Sequence, residues 1–139
     1  MTTLKFKEHG LEIPFEGGRD EEKTAKLMVK DLLTLPLMKA ICVEDVERLI
    51  NGDKKHLMIY EFAPPFNPDE LKKLLKRSKG VFYAIYADFD GFFNMHLCDL
   101  IADSIQSACD NCYCYGAPID SKEGSIPIQS GNVKVVALI

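Results

Sequence analysis

A chain of 139 residues, 47% hydrophobic and 27% charged, is long enough to bury one core without disulfide or metal staples. Seventeen basic against twenty-one acidic side chains give a net charge of −4, which excludes a general attraction to nucleic acid or anionic lipid. No apolar run approaches the roughly 20 residues of a membrane helix, and the opening MTTLKFKEHG has no apolar signal core. Five cysteines, an odd number, argue against a disulfide framework. A single cytoplasmic domain over residues 1–139, with its thiols reduced, is expected.

Along the chain, Leu4, Phe6, Leu11, Ile13 and Phe15 alternate with polar residues around Gly10, the pattern of a bent strand or a hairpin. EGGRD, residues 16–20, is a turn by composition. Ala25, Met28, Val29, Leu32 and Leu33 then fall on one helical stripe. Glu21 and Glu22 lie in its first turn, where the helix dipole favours them, and Pro36 is its stop. Val43, Val46, Leu49 and Ile50 mark a shorter helix capped at Gly52.

Residues 57–62, LMIYEF, read as a strand that Pro64 and Pro65 bring to an end. Asn67-Pro68-Asp69-Glu70 is a helix start, with Asn67 as cap and Pro68 at the first helical position. Leu71, Leu74 and Leu75 form that helix's stripe, and Gly80 terminates it.

The last third organises the rest. Residues 81–88, VFYAIYAD, form a buried-strand run. A helix follows, with Asn94 as cap and Phe93 stapled to Cys98. It buries Leu97, Cys98, Ile101, Ile105 and Ala108 and turns His96, Asp99, Asp103 and Gln106 outward. Residues 111–120 and 132–139 read as two further strands joined by a polar loop. This β-α-β-β unit is expected to pack as a layer with one buried face.

Several stretches resemble the C-terminal domain of FtsZ, the bacterial relative of tubulin. GGRDEEKTAKLMVKDLLTLPLM, residues 17–38, is similar to that domain's acidic-start helix, with Leu35-Pro36-Leu37-Met38 at the place of its closing motif. Lys79-Gly80-Val81 resembles the opening of one strand, Tyr115-Gly116-Ala117-Pro118-Ile119-Asp120 a second, and residues 133–138 the closing strand. The resemblance implies an α+β fold of tubulin/FtsZ C-terminal type: a single mixed β-sheet with helices packed on it. It would be a βαβαββ core with an α-β-α insertion at residues 42–78.

The family's GTP site has no counterpart among these residues. Gly17 and Gly18 lack the spacing and the following Lys-Ser/Thr of a phosphate loop. Glu8 and Glu12, the acidic residues before Glu16, sit in no matching acidic motif. The resemblance thus implies the accessory domain without its GTPase: a non-enzymatic interaction or assembly module, self-associating or binding a filament protein.

Other constellations offer chemistry. Cys109, Cys112 and Cys114 could supply thiolates to zinc, with His96 or Cys98 as a fourth ligand. The alternative is that these cysteines pack as small hydrophobes in the core. A zinc-binding protein or small metal-dependent enzyme is therefore the second function class, against a preferred reading with no cofactor. Lys72, Lys73, Lys76, Arg77 and Lys79 concentrate positive charge at one helix end. Dipole compensation explains them, and an acidic protein surface is their best partner, since no interleaved aromatic suits nucleic acid. Asp88-Phe89-Asp90-Gly91 opens like a calcium loop, but Phe92 and Phe93 occupy the places of oxygen ligands. A third reading puts an enzyme pocket at the strand ends near Asp88 and Asp90. His9, His56 and His96 are too scattered to define a triad.

Overall fold

A computed structural model describes residues 2–34, 43–50, 53–75, 78, 80–88, 95–109 and 113–139. The chain opens as a hairpin, β1 (Thr2–Phe6) and β2 (Leu11–Phe15), with Phe6 paired to Leu11 and Thr2 to Phe15. A 3-10 turn at Lys7–His9 and Gly10, at φ 65°, make the reversal. Only glycine adopts that left-handed geometry without a Cβ penalty. Helix α1 (Arg19–Thr34) follows. It starts earlier than the EGGRD turn suggests, because the Gly18 N–H donates to Glu21 Oε1 at 2.9 Å and so satisfies one orphan donor of the first turn.

Next come α2 (Val43–Ile50), β3 (Leu57–Phe62), α3 (Pro68–Leu74), β4 (Gly80–Ala87), α4 (Met95–Ala108), β5 (Tyr113–Asp120) and β6 (Val133–Leu138). Asn67 caps α3 by accepting from the Asp69 N–H at 3.1 Å. Gly80 opens β4 instead of closing the helix before it. Asn94, Phe93, Gly52 and Pro36, expected as helix boundaries, lie outside the described residues.

One mixed sheet of four strands, in the order β3-β6-β4-β5, carries the fold. β4 and β5 run parallel, with α4 as their crossover, while β6 is antiparallel to both β3 and β4. The hairpin is a separate two-stranded sheet. Among the described residues, its backbone pairs beside the larger sheet through one parallel bridge, from Phe15 to Lys55.

The expectation of one buried face is corrected here: both faces are covered. Every residue of β4 is buried. Phe82, Ala84 and Tyr86 join Val136, Leu138, Ala117 and Ile119 beneath α1, α2 and the hairpin. Val81, Tyr83, Ile85 and Ala87 join Val133, Val135 and Ala137 beneath α3 and α4. A strand buried on both faces reads as a continuous apolar run instead of an alternating one, and VFYAIYA is such a run.

Residues 42–78, which the sequence sets apart as an insertion, are woven into this layer in their described part. β3 pairs with β6 over six residues, and Leu71 of α3 and Leu75 at its C-cap are core. No helix among the described residues is long and apolar enough to cross a membrane.

The tightest point in the sheet is Gly116, opposite Tyr83 in the parallel pair. A Cβ there would land inside the Tyr83 carbonyl oxygen and ring. Gly116→Ala is therefore expected to force β4 and β5 apart and to cost about 3 kcal/mol. Denaturant unfolding would show it as a lowered midpoint.

Candidate functional site

The cysteines divide between the core and the strand. Cys98 and Cys109 are buried beside Ile101 and Ile105, while Cys114 on β5 is half-buried and lies 4.0 Å from the Ile105 carbonyl. Burial, and then the neighbouring Asp99 carboxylate, push the Cys98 thiol up to about 11. That disfavours the thiolate a metal or a nucleophilic reaction needs. Cys112 lies outside the described residues. His96 does not reach this cluster: it is exposed in the first turn of α4, and thirteen residues of helix place it about 20 Å from Cys109. The same rise removes Cys98 as an alternative fourth ligand. Among the described residues, no group of three or more His, Cys, Asp or Glu is placed to hold a metal ion.

Of the basic cluster, Lys72 and Lys73 are exposed on α3; Lys76, Arg77 and Lys79 lie outside the described residues. Asp88, past the end of β4, pairs at 4.0 Å with Lys122 from the β5–β6 loop, and Asp90 lies outside the described residues. An open groove of about 670 Å³ lies away from these strand ends, between the hairpin and α2, with Lys5, Glu12 and Glu47 in its walls.

The sequence reading misses a buried carboxyl. Asp31 is 2% exposed on α1. It accepts from the Tyr86 hydroxyl at 2.8 Å and from the Ser125 N–H at 2.7 Å through Oδ2, and from the Ser125 hydroxyl at 2.8 Å through Oδ1. Helix, central strand and the β5–β6 loop are thus fastened at one point. The signal was legible: Asp31 follows Met28 by three residues and precedes Leu32, which places it on the apolar stripe. Burial, and then the Asp31 bond and charge, raise the Tyr86 hydroxyl far above its usual value. Lys55 is the second buried charged group, also 2% exposed, and its Nζ donates to the Gly80 carbonyl at 3.1 Å. Among the described residues, no buried side-chain N or O lacks a hydrogen-bond partner.

Three large apolar side chains are exposed among the described residues. Ile59 on β3 and Leu74 on α3 are each 45% exposed, and Leu100 on α4 is 42% exposed. Ile59 lies on an edge strand of the sheet, where backbone groups and an apolar side chain meet solvent together.

This four-strand fold has counterparts among solved structures. FtsZ of M. jannaschii, in a point-mutant form, superposes with a TM-score of 0.64 at 13% identity, over 85% of this chain and 38% of that one. The fold is FtsZ-like. CetZ from Methanosaeta thermophila matches at 0.48, with 13% identity over 84% of this chain and 35% of that chain. TubZ of Bacillus thuringiensis serovar israelensis, solved as a GTPγS-form protofilament, matches at 0.40 with 10% identity, over 85% of this chain and 34% of that one.

No protein-family profile and no curated protein matches the sequence. The chain thus spans little more than a third of the length of the FtsZ it resembles. The stretches that resemble FtsZ are structural ones: residues 17–38 hold α1, Gly80 and Val81 open β4, residues 115–120 lie in β5, and residues 133–138 are β6.

Two outcomes are expected at the buried groups. Asp31→Ala strands the Tyr86 hydroxyl and the Ser125 N–H, at a cost of about 3 kcal/mol. Asp31→Asn keeps an acceptor for both and turns its amide toward the Ser125 hydroxyl, costing about 1 kcal/mol. Equal losses in denaturant unfolding would show that the carboxyl does not act through these bonds.

Alkali supplies the other test. Burial raises both Tyr83 and Tyr86, so the folded chain holds their protons beyond the unfolded tyrosine value of about 10. Their contribution to stability is complete below that pH and is lost as pH rises above it. The phenolate absorbance of these two rings should appear together with unfolding, not before it.

Proposed function

We propose that this chain acts by surface contact, as a protein-interaction or assembly domain with no reaction of its own. It self-associates or binds a filament protein. The observation that supports this reading is the FtsZ-like fold over 85% of the chain. The chemistry of the described residues agrees with it: of the buried polar side chains, Asp31 and Lys55 are engaged in hydrogen bonds that hold elements together, and Ser104 donates within α4 to the Leu100 carbonyl. Exposed Ile59, Leu74 and Leu100 offer apolar contact. The basic cluster of Lys72, Lys73, Lys76, Arg77 and Lys79 offers an acidic protein surface its complement.

Light scattering over a concentration series, together with capture of protein partners and a GTP-turnover assay, tests the proposal. A concentration-dependent rise in mass or a stoichiometric protein partner is expected, with no GTP consumed. A strict monomer that captures no partner, or steady GTP turnover, would count against it. Where the partner is acidic and meets the basic cluster, Lys72→Glu with Lys73→Glu should weaken binding, and added salt should weaken it in the unsubstituted chain.

A further inference from the structure

Helices α3 and α4 lie side by side on one face of the sheet. β3 and β4 both run antiparallel to β6, and β5 runs parallel to β4. The helices that connect them, α3 from β3 to β4 and α4 from β4 to β5, therefore point the same way. Glu70 accepts from the Tyr60 hydroxyl of edge strand β3 at 2.7 Å, which sets one flank of α3 toward the edge of the sheet. At about 100° per residue, Lys72 turns to the opposite flank, toward α4, and Lys73, across the helix from buried Leu71, turns outward.

The same sense of rotation on α4 puts Leu100 and Ser104 on the flank toward α3. Ser104 is only 6% exposed there, whereas Leu100, one turn earlier, is 42% exposed. Asp103 turns outward and Asp99 lies beyond it. The outer surface thus reads basic, apolar, acidic across the two helices: Lys72 and Lys73, then Leu100, then Asp103 and Asp99. All four charged side chains are exposed, and none is ion-paired with another described residue. α4 contains no Lys or Arg. Of the acidic residues on α3, Glu70 is turned to the far flank and Asp69 lies one turn before Lys73.

We propose that this surface pairs with a second copy of itself, α3 of each copy lying on α4 of the other. This rests on the self-association reading above and names its surface. A symmetric contact needs a face that is its own complement after half a turn. A two-fold axis along the seam between the helices, parallel to both, supplies that half-turn. It brings the basic zone onto the acidic zone twice, and the two Leu100 side chains meet beside the axis. An axis across the helices would set lysine on lysine and aspartate on aspartate, which repulsion disfavours. The charge order therefore selects both the occupant and the axis.

The face is small. α4, with 14 residues, is about 21 Å long, and two helices at about 10 Å spacing cover about 20 Å across. That is about half of the roughly 800 Å² that each partner gives to a standard interface, so the dimer is weak and concentration-dependent.

Sedimentation of the full chain across a wide concentration series is the test, with charge reversals whose fold is checked by thermal melt. Lys72→Glu with Lys73→Glu should weaken dimerisation at least about tenfold. Asp99→Lys with Asp103→Lys cancels the net charge of −4 and so eases general repulsion between copies, yet it should weaken the dimer to a similar extent. All four substitutions in one chain exchange the signs, keep the parent's net charge and should restore the parent's affinity. Leu100→Ser should leave the melt close to the parent's and also weaken dimerisation about tenfold.

A parent that dimerises, with the Asp99 and Asp103 reversal as tight as the parent or the fourfold variant as weak as either pair, overturns this seam and leaves self-association to another surface. If a reversed chain unfolds, Leu100→Ser decides: unchanged affinity overturns the seam. A parent that is monomeric throughout overturns the dimer and self-association together.

Discussion

The structure depends on burying β4 on both faces at once. A strand with Phe82, Ala84 and Tyr86 on one side and Val81, Tyr83, Ile85 and Ala87 on the other cannot be stable under one helical layer. Leaving either row wet would forfeit about 1.5–3 kcal/mol for each large side chain. The two-sided demand explains the order of the chain. Helices α1 and α2, arriving before the sheet is complete, cover one face; α3 and α4, which enter as connections between strands, cover the other. β6, the last strand, lies between β3 and β4 and runs antiparallel to both.

Polar groups enter this core where helix, strand and loop have to be held in register. Asp31 fixes α1 to Tyr86 and to Ser125, and Lys55 fixes the approach to β3 onto the first residue of β4. A buried carboxyl or ammonium costs several kcal/mol unless its partners are in place. Each therefore penalises misplacement of the elements it joins more than it rewards the correct fold. This is why these charged residues act as registers here and not as reactive groups. The Tyr86 proton held by Asp31 and the protonated Cys98 thiol follow from the same desolvation.

Periodicity made most of the architecture legible. Strand β3 was read at residues 57–62, the Asn67-Pro68 start of α3 from capping chemistry, and the α4 stripe from its 3.6-residue repeat. What escaped were consequences of tertiary packing. That the opening hairpin forms a sheet of its own depends on Glu16-Gly17-Gly18 leaving the lane beside Lys55. The second buried face of the sheet follows from helices distant in sequence. Gly80, at a helix end by local rules, belongs to β4. Asp31, a carboxylate by type, lies between Met28 and Leu32 on the apolar stripe and is buried. Of the candidate site residues, His96 and Cys109 share ligand chemistry, but thirteen residues of one helix separate them by about 20 Å.

An FtsZ-like fold at 13% identity constrains what this chain can be selected for. What is shared is the fold alone. Among the described residues, the buried carboxyl of Asp31 and the buried ammonium of Lys55 are both spent on hydrogen bonds within the layer. When the interior is so committed, new function has to be written on edges and outer helix faces, where substitutions cost little stability. The edges differ in the same way: β5 carries Pro118 in its middle, whereas β3 has no proline between Leu57 and Phe62 and exposes Ile59.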